Sequence, residues 1–305
     1  MSTTTGITSG GHRPALAEVP TDRRTERVVL ATDGGLAGLS AMRWIADRAR
    51  AHTLDLTVLD VVDVPDLPGW EAGERHWAAD RAVRQVGDYL AWAAASVNCI
   101  GKVVAGDPRT RITEATEDAD LLVVGTNRVW MSRHLVASFS TKLAEAASCP
   151  TIVVPRGWER STGPVIVGVE GDGSDDAAVE FAAHEAEVLR RDLVLVHAWH
   201  LTGMVAPAFA AEPDRRAVET AASGRLSTVA ERARTRHPHL RIAPLLAHDE
   251  PVSAVVRAGA GASLVVVGSH SLSMIDRALF ASVSRGVLER PTCAVAIVRP
   301  RIPEV

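Results

Sequence analysis

Two pairs of loops carry the residues best suited to chemistry. The first pair is Asp33-Gly34-Gly35 and Glu170-Gly171-Asp172, in which an acid closes an apolar run and small residues follow. A carboxylate there can accept hydrogen bonds from a ribose hydroxyl or an adenine amino group, and it can equally cap the turn or helix that comes next. The second pair opens at Gly125 and Gly268 and reaches Ser138 and Ser282. Backbone N–H groups and hydroxyls at a helix N-terminus form a phosphate cradle, and the same serines read equally as plain N-caps.

Other reactive residue types point away from catalysis. His197 and His200 have a metal-like spacing, but at the end of a strand residues i and i+3 face opposite sides and cannot chelate together. His237 and His239 flank a proline and read as solvated turn residues. Cys99, Cys149 and Cys293 are odd in number and lack zinc-type spacing, so neither a disulfide framework nor a metal site is expected. Cys149 and Cys293 read as small apolar residues at the entrance to a strand. The chain has no G-x-S-x-G turn and no Walker lysine, and its only lysines are Lys102 and Lys142.

The elements that position these loops come twice. Residues 28–62 reappear without a gap at 165–199, so that Asp33 stands opposite Glu170, Trp44 opposite Phe181 and Asp55 opposite Asp192. Later, Ala137-Ser138-Phe139-Ser140 matches Ala281-Ser282-Val283-Ser284, and Cys149 matches Cys293. A period this long exceeds the roughly 20 to 50 residues of a solenoid unit and marks a duplicated domain. Each copy alternates short Val/Ile/Leu runs with amphipathic segments, which predicts a parallel sheet covered on both faces. The strands are expected at 27–32, 54–61, 99–105, 121–125 and 151–155, and again at 164–169, 193–199, 241–247, 263–268 and 294–299. Four helical segments lie between them in each half, for example 39–51 and 177–190. The fold class is therefore α/β: two tandem doubly wound, Rossmann-like domains, each with five strands and four helices. In such sheets a ligand binds beyond the carboxyl ends of the strands, where the strand order reverses.

The expected division is a disordered tail at 1–26, a first domain at 27–155, a linker at 156–163, a second domain at 164–300 and a short tail at 301–305. Residues 69–75 and 202–213 are expected to be irregular flaps. The 33 basic and 37 acidic residues give a net charge of −4 without any charged block, so neither nucleic acid nor a membrane surface is an expected partner. No run reaches the roughly 18 apolar residues of a membrane span. A soluble, cytoplasmic protein is expected.

At these residues the chain resembles the universal stress protein family, as two tandem family domains over residues 27–300. The family's first-strand motif, close to "VDGS", appears as "ATDGG" ending at Gly35 and as "GVEGD" ending at Asp172. Gly106-Asp107-Pro108, with Asp249-Glu250-Pro251 as its altered copy, is also similar to the family. The resemblance implies an adenine nucleotide alpha hydrolase-like fold and, in ATP-binding members, the pattern G-x-x-G, nine residues, then G-[ST]. Here Gly268 is kept, Ser271 and Ala281 replace the next two glycines, and Ser282 holds the hydroxyl position. In the first half Gly125 and Ser138 are kept, Arg128 stands near the second glycine and Ala137 replaces the third. That loop is one residue shorter, with 12 positions from Gly125 to Ala137 against 13 from Gly268 to Ala281. Arg128 could pair with phosphate, and Trp130 could stack on an adenine or fill its space.

The nucleotide-binding residues so implied are Thr32, Asp33, Val61, Gly125, Arg128, Ser138 and Ser140 in the first half. In the second they are Val169, Glu170, Ala198, Gly268, Ser271, Ser282, Val283 and Ser284. The expectation is a non-enzymatic stress-response factor that binds ATP, with any magnesium it brings, weakly and better in the second half. Its rivals are a slow ATPase using a carboxylate such as Asp276, and an interaction module with vestigial pockets. The resemblance also implies that residues 151–154 and 295–298 pair as an intramolecular pseudo-dimer, with a homodimer as a further option. Lysine at Val153 and Ile297 should then loosen the halves without unfolding either.

Overall fold

The computed structural model describes residues 25–63, 69–93, 96–127, 139–200, 212–269 and 276–299. The first half runs β1 (Glu26–Ala31), α1 (Leu36–Arg48), β2 (Leu54–Val62), α2 (Gly69–Ala93), β3 (Val97–Ala105), α3 (Pro108–Ala115), β4 (Leu121–Thr126), α4 (Phe139–Ala146) and β5 (Thr151–Pro155). The second repeats it as β6 (Val165–Gly168), α5 (Asp176–Leu189), β7 (Leu193–Trp199), α6 (Glu212–Arg236), β8 (Ile242–His248), α7 (Pro251–Ala258), β9 (Leu264–Gly268), α8 (Asp276–Glu289) and β10 (Val295–Val298). The predicted strands lie within a residue or two of these bounds.

Unbroken apolar runs become the inner strands because helices cover both faces. In β4, Leu121 and Val123 enter the core beneath α1, α2, α5 and α6, while Leu122 and Val124 enter the core beneath α3, α4, α7 and α8. Helix starts follow local chemistry. Asp107 caps α3 by accepting from the Thr110 amide at 2.8 Å, and Pro108 occupies the first turn, where its missing N–H costs nothing. In the altered copy Glu250 makes no cap bond. Asp249 instead accepts from the Glu250 amide at 2.8 Å and pairs with Arg257.

The sheet order is β3-β2-β1-β4-β5-β10-β9-β6-β7-β8. Within each half all neighbours are parallel, and the order reverses between β1 and β4 and between β6 and β9. The halves join through β5 and β10, which run antiparallel with Val295 opposite Val153, Ala296 opposite Ile152 and Ile297 opposite Thr151. Counting from the matched cysteines, Ile152 and Ala296 are equivalent positions of the two domains. The pair that faces itself lies on a pseudo-twofold axis, so the contact is the isologous kind a symmetric dimer would make.

Three expectations need correction. Residues 69–75 form the first turns of α2 rather than a flap. Of the second flap, residues 202–211 lie outside the described residues and Glu212 already belongs to α6. Lysine at Val153 or Ile297 would do more than loosen a seam, since those side chains are 1% and 2% exposed inside the core. Of the expected tail at 1–26, residues 1–24 lie outside the described residues and Glu26 already belongs to β1.

Because both cores run through β5 and β10, the halves should unfold together. Val153→Lys is expected to give one calorimetric transition at a lower temperature, with no half melting independently. A second expectation concerns Gly125, where a Cβ atom would lie 2.2 Å from the Ala37 carbonyl oxygen of α1. Gly125→Ala should cost about 1 to 3 kcal/mol in chemical denaturation, the usual penalty of forcing atoms into a filled core.

Candidate functional site

In the second half a cleft of about 460 Å³, counting its open mouth, lies at the carboxyl ends of β6, β7 and β9. It sits where the strand order reverses, the general ligand position of a doubly wound sheet. The structure brings Val169, Glu170, Ala198, Gly268 and Val283 together there, with Val196, Val255 and Val267 completing an apolar wall. Ser284 is half-buried in α8.

The loop that presents Glu170 is folded around a residue that sequence reasoning passed over. Asp175, 2% exposed, accepts hydrogen bonds through Oδ2 from the amides of Glu170 at 2.8 Å and Gly171 at 3.0 Å. Its Oδ1 is buried without a partner among the described residues, and Asp175 lines the cleft. A signal existed: in the ungapped alignment of the two copies Asp175 stands opposite Gly38, an unequal pair at the start of matched helices. Burial pushes the Glu170 carboxyl up to about 7, helped by the nearby Asp172 and Asp175 carboxylates and opposed by Arg225. Below the cleft, His197 donates from Nδ1 to the Val169 carbonyl at 2.8 Å and is 2% exposed, so it props the end of β6.

The first half is built differently at the same place. Thr32 Oγ1 accepts from the Gly34 amide at 3.1 Å, and Asp33 Oδ1 accepts from the Gly35 amide at 2.8 Å. The exposed Asp33 therefore caps its own turn, one of the two roles its position allowed. A side chain at Gly38 would meet Thr32 Oγ1 at 2.2 Å, which leaves no room for an aspartate like Asp175. Helix α1 starts at Leu36, whereas its counterpart α5 starts at Asp176, three positions later in the repeat. The additional turn carries the Ala37 carbonyl against Gly125. Val61 packs against the lower core, and Ser140 is buried inside α4. Arg128, Trp130, Ser138 and Ser271 lie outside the described residues.

Ser282 requires a correction. It was expected where a helix begins, but α8 starts at Asp276, so the Ser282 amide falls within the helical ladder instead of facing a ligand. The intervening Ala278-Leu279-Phe280-Ala281 lets the helix start further upstream than the serine pattern suggested. His237 is a second correction, being only 11% exposed rather than solvated. Its Nδ1 bonds Glu187 at 2.9 Å, and Glu180 lies 3.2 Å from Nε2. Burial lowers its proton affinity, but the two carboxylates outweigh burial and raise it above the ordinary 6.5. The thiol of Cys293 is pushed up to about 11 by burial, so it presents no ready thiolate, and Cys149 is buried in the same core. Among the described residues no three His, Cys, Asp or Glu side chains cluster to hold a metal ion, and no helix is long and apolar enough to cross a membrane.

The family model described as Universal stress protein family matches residues 24–155 and again residues 162–299. A universal stress protein of Mycobacterium tuberculosis is 27% identical over 294 residues, covering 91% of this chain and 98% of its own. One of Mycolicibacterium smegmatis is 26% identical over 295 residues, covering 90% and 97%. Among solved structures, a universal stress protein of Archaeoglobus fulgidus superposes with a TM-score of 0.68 at 17% identity, covering 92% of this chain and 98% of that one. At that identity the superposition speaks for the fold, while the paired family matches account for nearly the whole sequence. The chain belongs to the universal stress protein family and carries two copies of the family domain in tandem.

Proposed function

We propose that this protein is a non-enzymatic, cytoplasmic factor of stress adaptation whose second half binds an adenine nucleotide. The observation that carries the reading is the cleft at the switch point of the second half, with an apolar wall for a base and Glu170 at its edge for a ribose hydroxyl or an amino group. ATP is the nucleotide that the family resemblance suggests. Its magnesium would travel on the phosphates, since the described residues bring no set of three ligating side chains together. The first half binds more weakly on this reading, because the Asp33 carboxylate is engaged in its turn and α1 presses on Gly125. The described lining of the cleft is mostly apolar, and the Asp175 carboxylate in it is engaged by the amides of Glu170 and Gly171, an arrangement suited to holding a ligand.

Titration calorimetry of the full chain with AMP and with ATP tests this. Ala198→Phe, which fills the cleft, should abolish the stronger binding event, and Ser138→Ala should leave it unchanged. Loss on Ser138→Ala alone would move the site to the first half. Absence of heat at millimolar nucleotide would favour a protein-interaction module instead.

Glu170 also makes stability depend on pH. Its folded-state affinity for a proton is raised from the ordinary 4.5 to about 7. Between those values the unfolded chain releases the proton while the folded chain retains it, so this group's contribution to stability falls as pH rises across that window. Urea denaturation at pH 5 and pH 8 should show a smaller decline for Glu170→Gln than for the wild type.

A further inference from the structure

On the α1 and α5 side of the sheet, one buried ion pair spans the pseudo-twofold axis. The ungapped repeat relates Val28 to Val165, an offset of 137 residues, and Arg48 and Glu185 are 137 apart. They are one position of the domain seen twice, as Ile152 and Ala296 are within the sheet. Their side chains are 4% and 1% exposed. Arg48 Nη1 and Nη2 donate to Glu185 Oε2 and Oε1, each at 2.8 Å, the two-pronged geometry of a strong charge-assisted pair. Arg48 Nε and Nη2 also donate to Glu26 at 2.7 and 2.8 Å, and the guanidinium lies 5.3 Å from the Trp44 ring centre. Burial alone would push the Glu185 carboxyl up, but the guanidinium outweighs it and holds it below its ordinary range.

We propose that Arg48 and Glu185 select the partner across this interface: α1 of the first half accepts α5 of a second half and discriminates against a copy of itself. A symmetric pairing of two second halves would bury Glu185 against Glu185 with no guanidinium between them and only the neighbouring His184 imidazoles as counter-charge, because Gly163 stands where the first half has Glu26. Pairing two first halves would set Arg48 beside Arg48. Each would keep its own Glu26 but lose its second carboxylate. A buried charge that loses its partner is far more costly than a buried pair is stabilising, so the device acts mainly by rejecting wrong partners. Within one chain the short connection between β5 and β6 keeps the correct partner at high effective concentration. The asymmetry is available only to a duplicated chain, since a homodimer of single domains must place identical residues on its axis.

The test uses the full chain in a Glu26→Gln background, which removes the neutralising neighbour, and compares Arg48→Glu, Glu185→Arg and the double reversal. Each single reversal should lower the melting temperature by roughly 10 °C, and the double reversal should recover most of that loss as a monomer. Co-expressed, the two single-reversal chains should form equimolar assemblies in native mass spectrometry, because each supplies the half the other lacks. Neither should assemble alone. Single reversals that melt with the background chain, or a double reversal that stays as unstable as the singles, would overturn the proposal. So would co-expressed chains that remain monomeric while the double reversal folds normally, because the pair would then hold the halves without choosing between partners.

Discussion

The antiparallel ladder between β5 and β10 is the constraint on which the rest of this molecule depends. Each half ends its sheet on a short, largely apolar strand, and such an edge left open would expose unpaired amides and carbonyls beside a hydrophobic surface. Joining the two edges satisfies those groups and fuses two five-stranded sheets into one of ten strands. Both hydrophobic layers then run through the seam, so neither half has a core entirely its own. The pairing also sets the pseudo-twofold axis, which places Arg48 of α1 against Glu185 of α5.

Duplication has let the two copies diverge where a symmetric dimer could not. At the switch point of the first half, Thr32 and Asp33 fold the loop tightly around its own amides, and α1 starts a turn early against Gly125. At the corresponding place in the second half, Asp175 gathers the loop amides from below, α5 starts later, and a cleft lies open beside Glu170. The difference comes from a few positions. Gly38 against Asp175 decides which group satisfies the loop, and Thr32 against Val169 decides whether a hydroxyl is available to do so. One scaffold thereby holds one loop closed on itself and one loop facing a cavity.

Local pattern alone carried the fold a long way. Unbroken Val, Ile and Leu runs can be strands only where both faces are covered, and their alternation with amphipathic segments leaves a parallel, doubly wound sheet as the consistent arrangement. The repeat then implied two such sheets, and the family resemblance implied the apolar fifth strands as the seam between them. Asp33, Glu170, Gly125 and Gly268 could be placed at strand ends because motif and periodicity coincide there. The pattern was less informative where residue types suit two states, as at 69–75, which joins α2, and at Ser282, which sits inside α8.

The sequence by itself determined the duplication, the family resemblance and the strand positions, because the 137-residue repeat, the motifs and the apolar runs can all be read along the chain. Only the tertiary structure decided that Asp33 turns onto the Gly35 amide while Glu170 edges a cleft with a raised proton affinity. It alone showed that Asp175 anchors a loop, that His237 lies between two glutamates, and that Arg48 meets Glu185. These are contacts between groups distant in the chain or dependent on burial. Their existence follows from how helices settle on the sheet and how little water reaches them, which no local pattern of residues encodes.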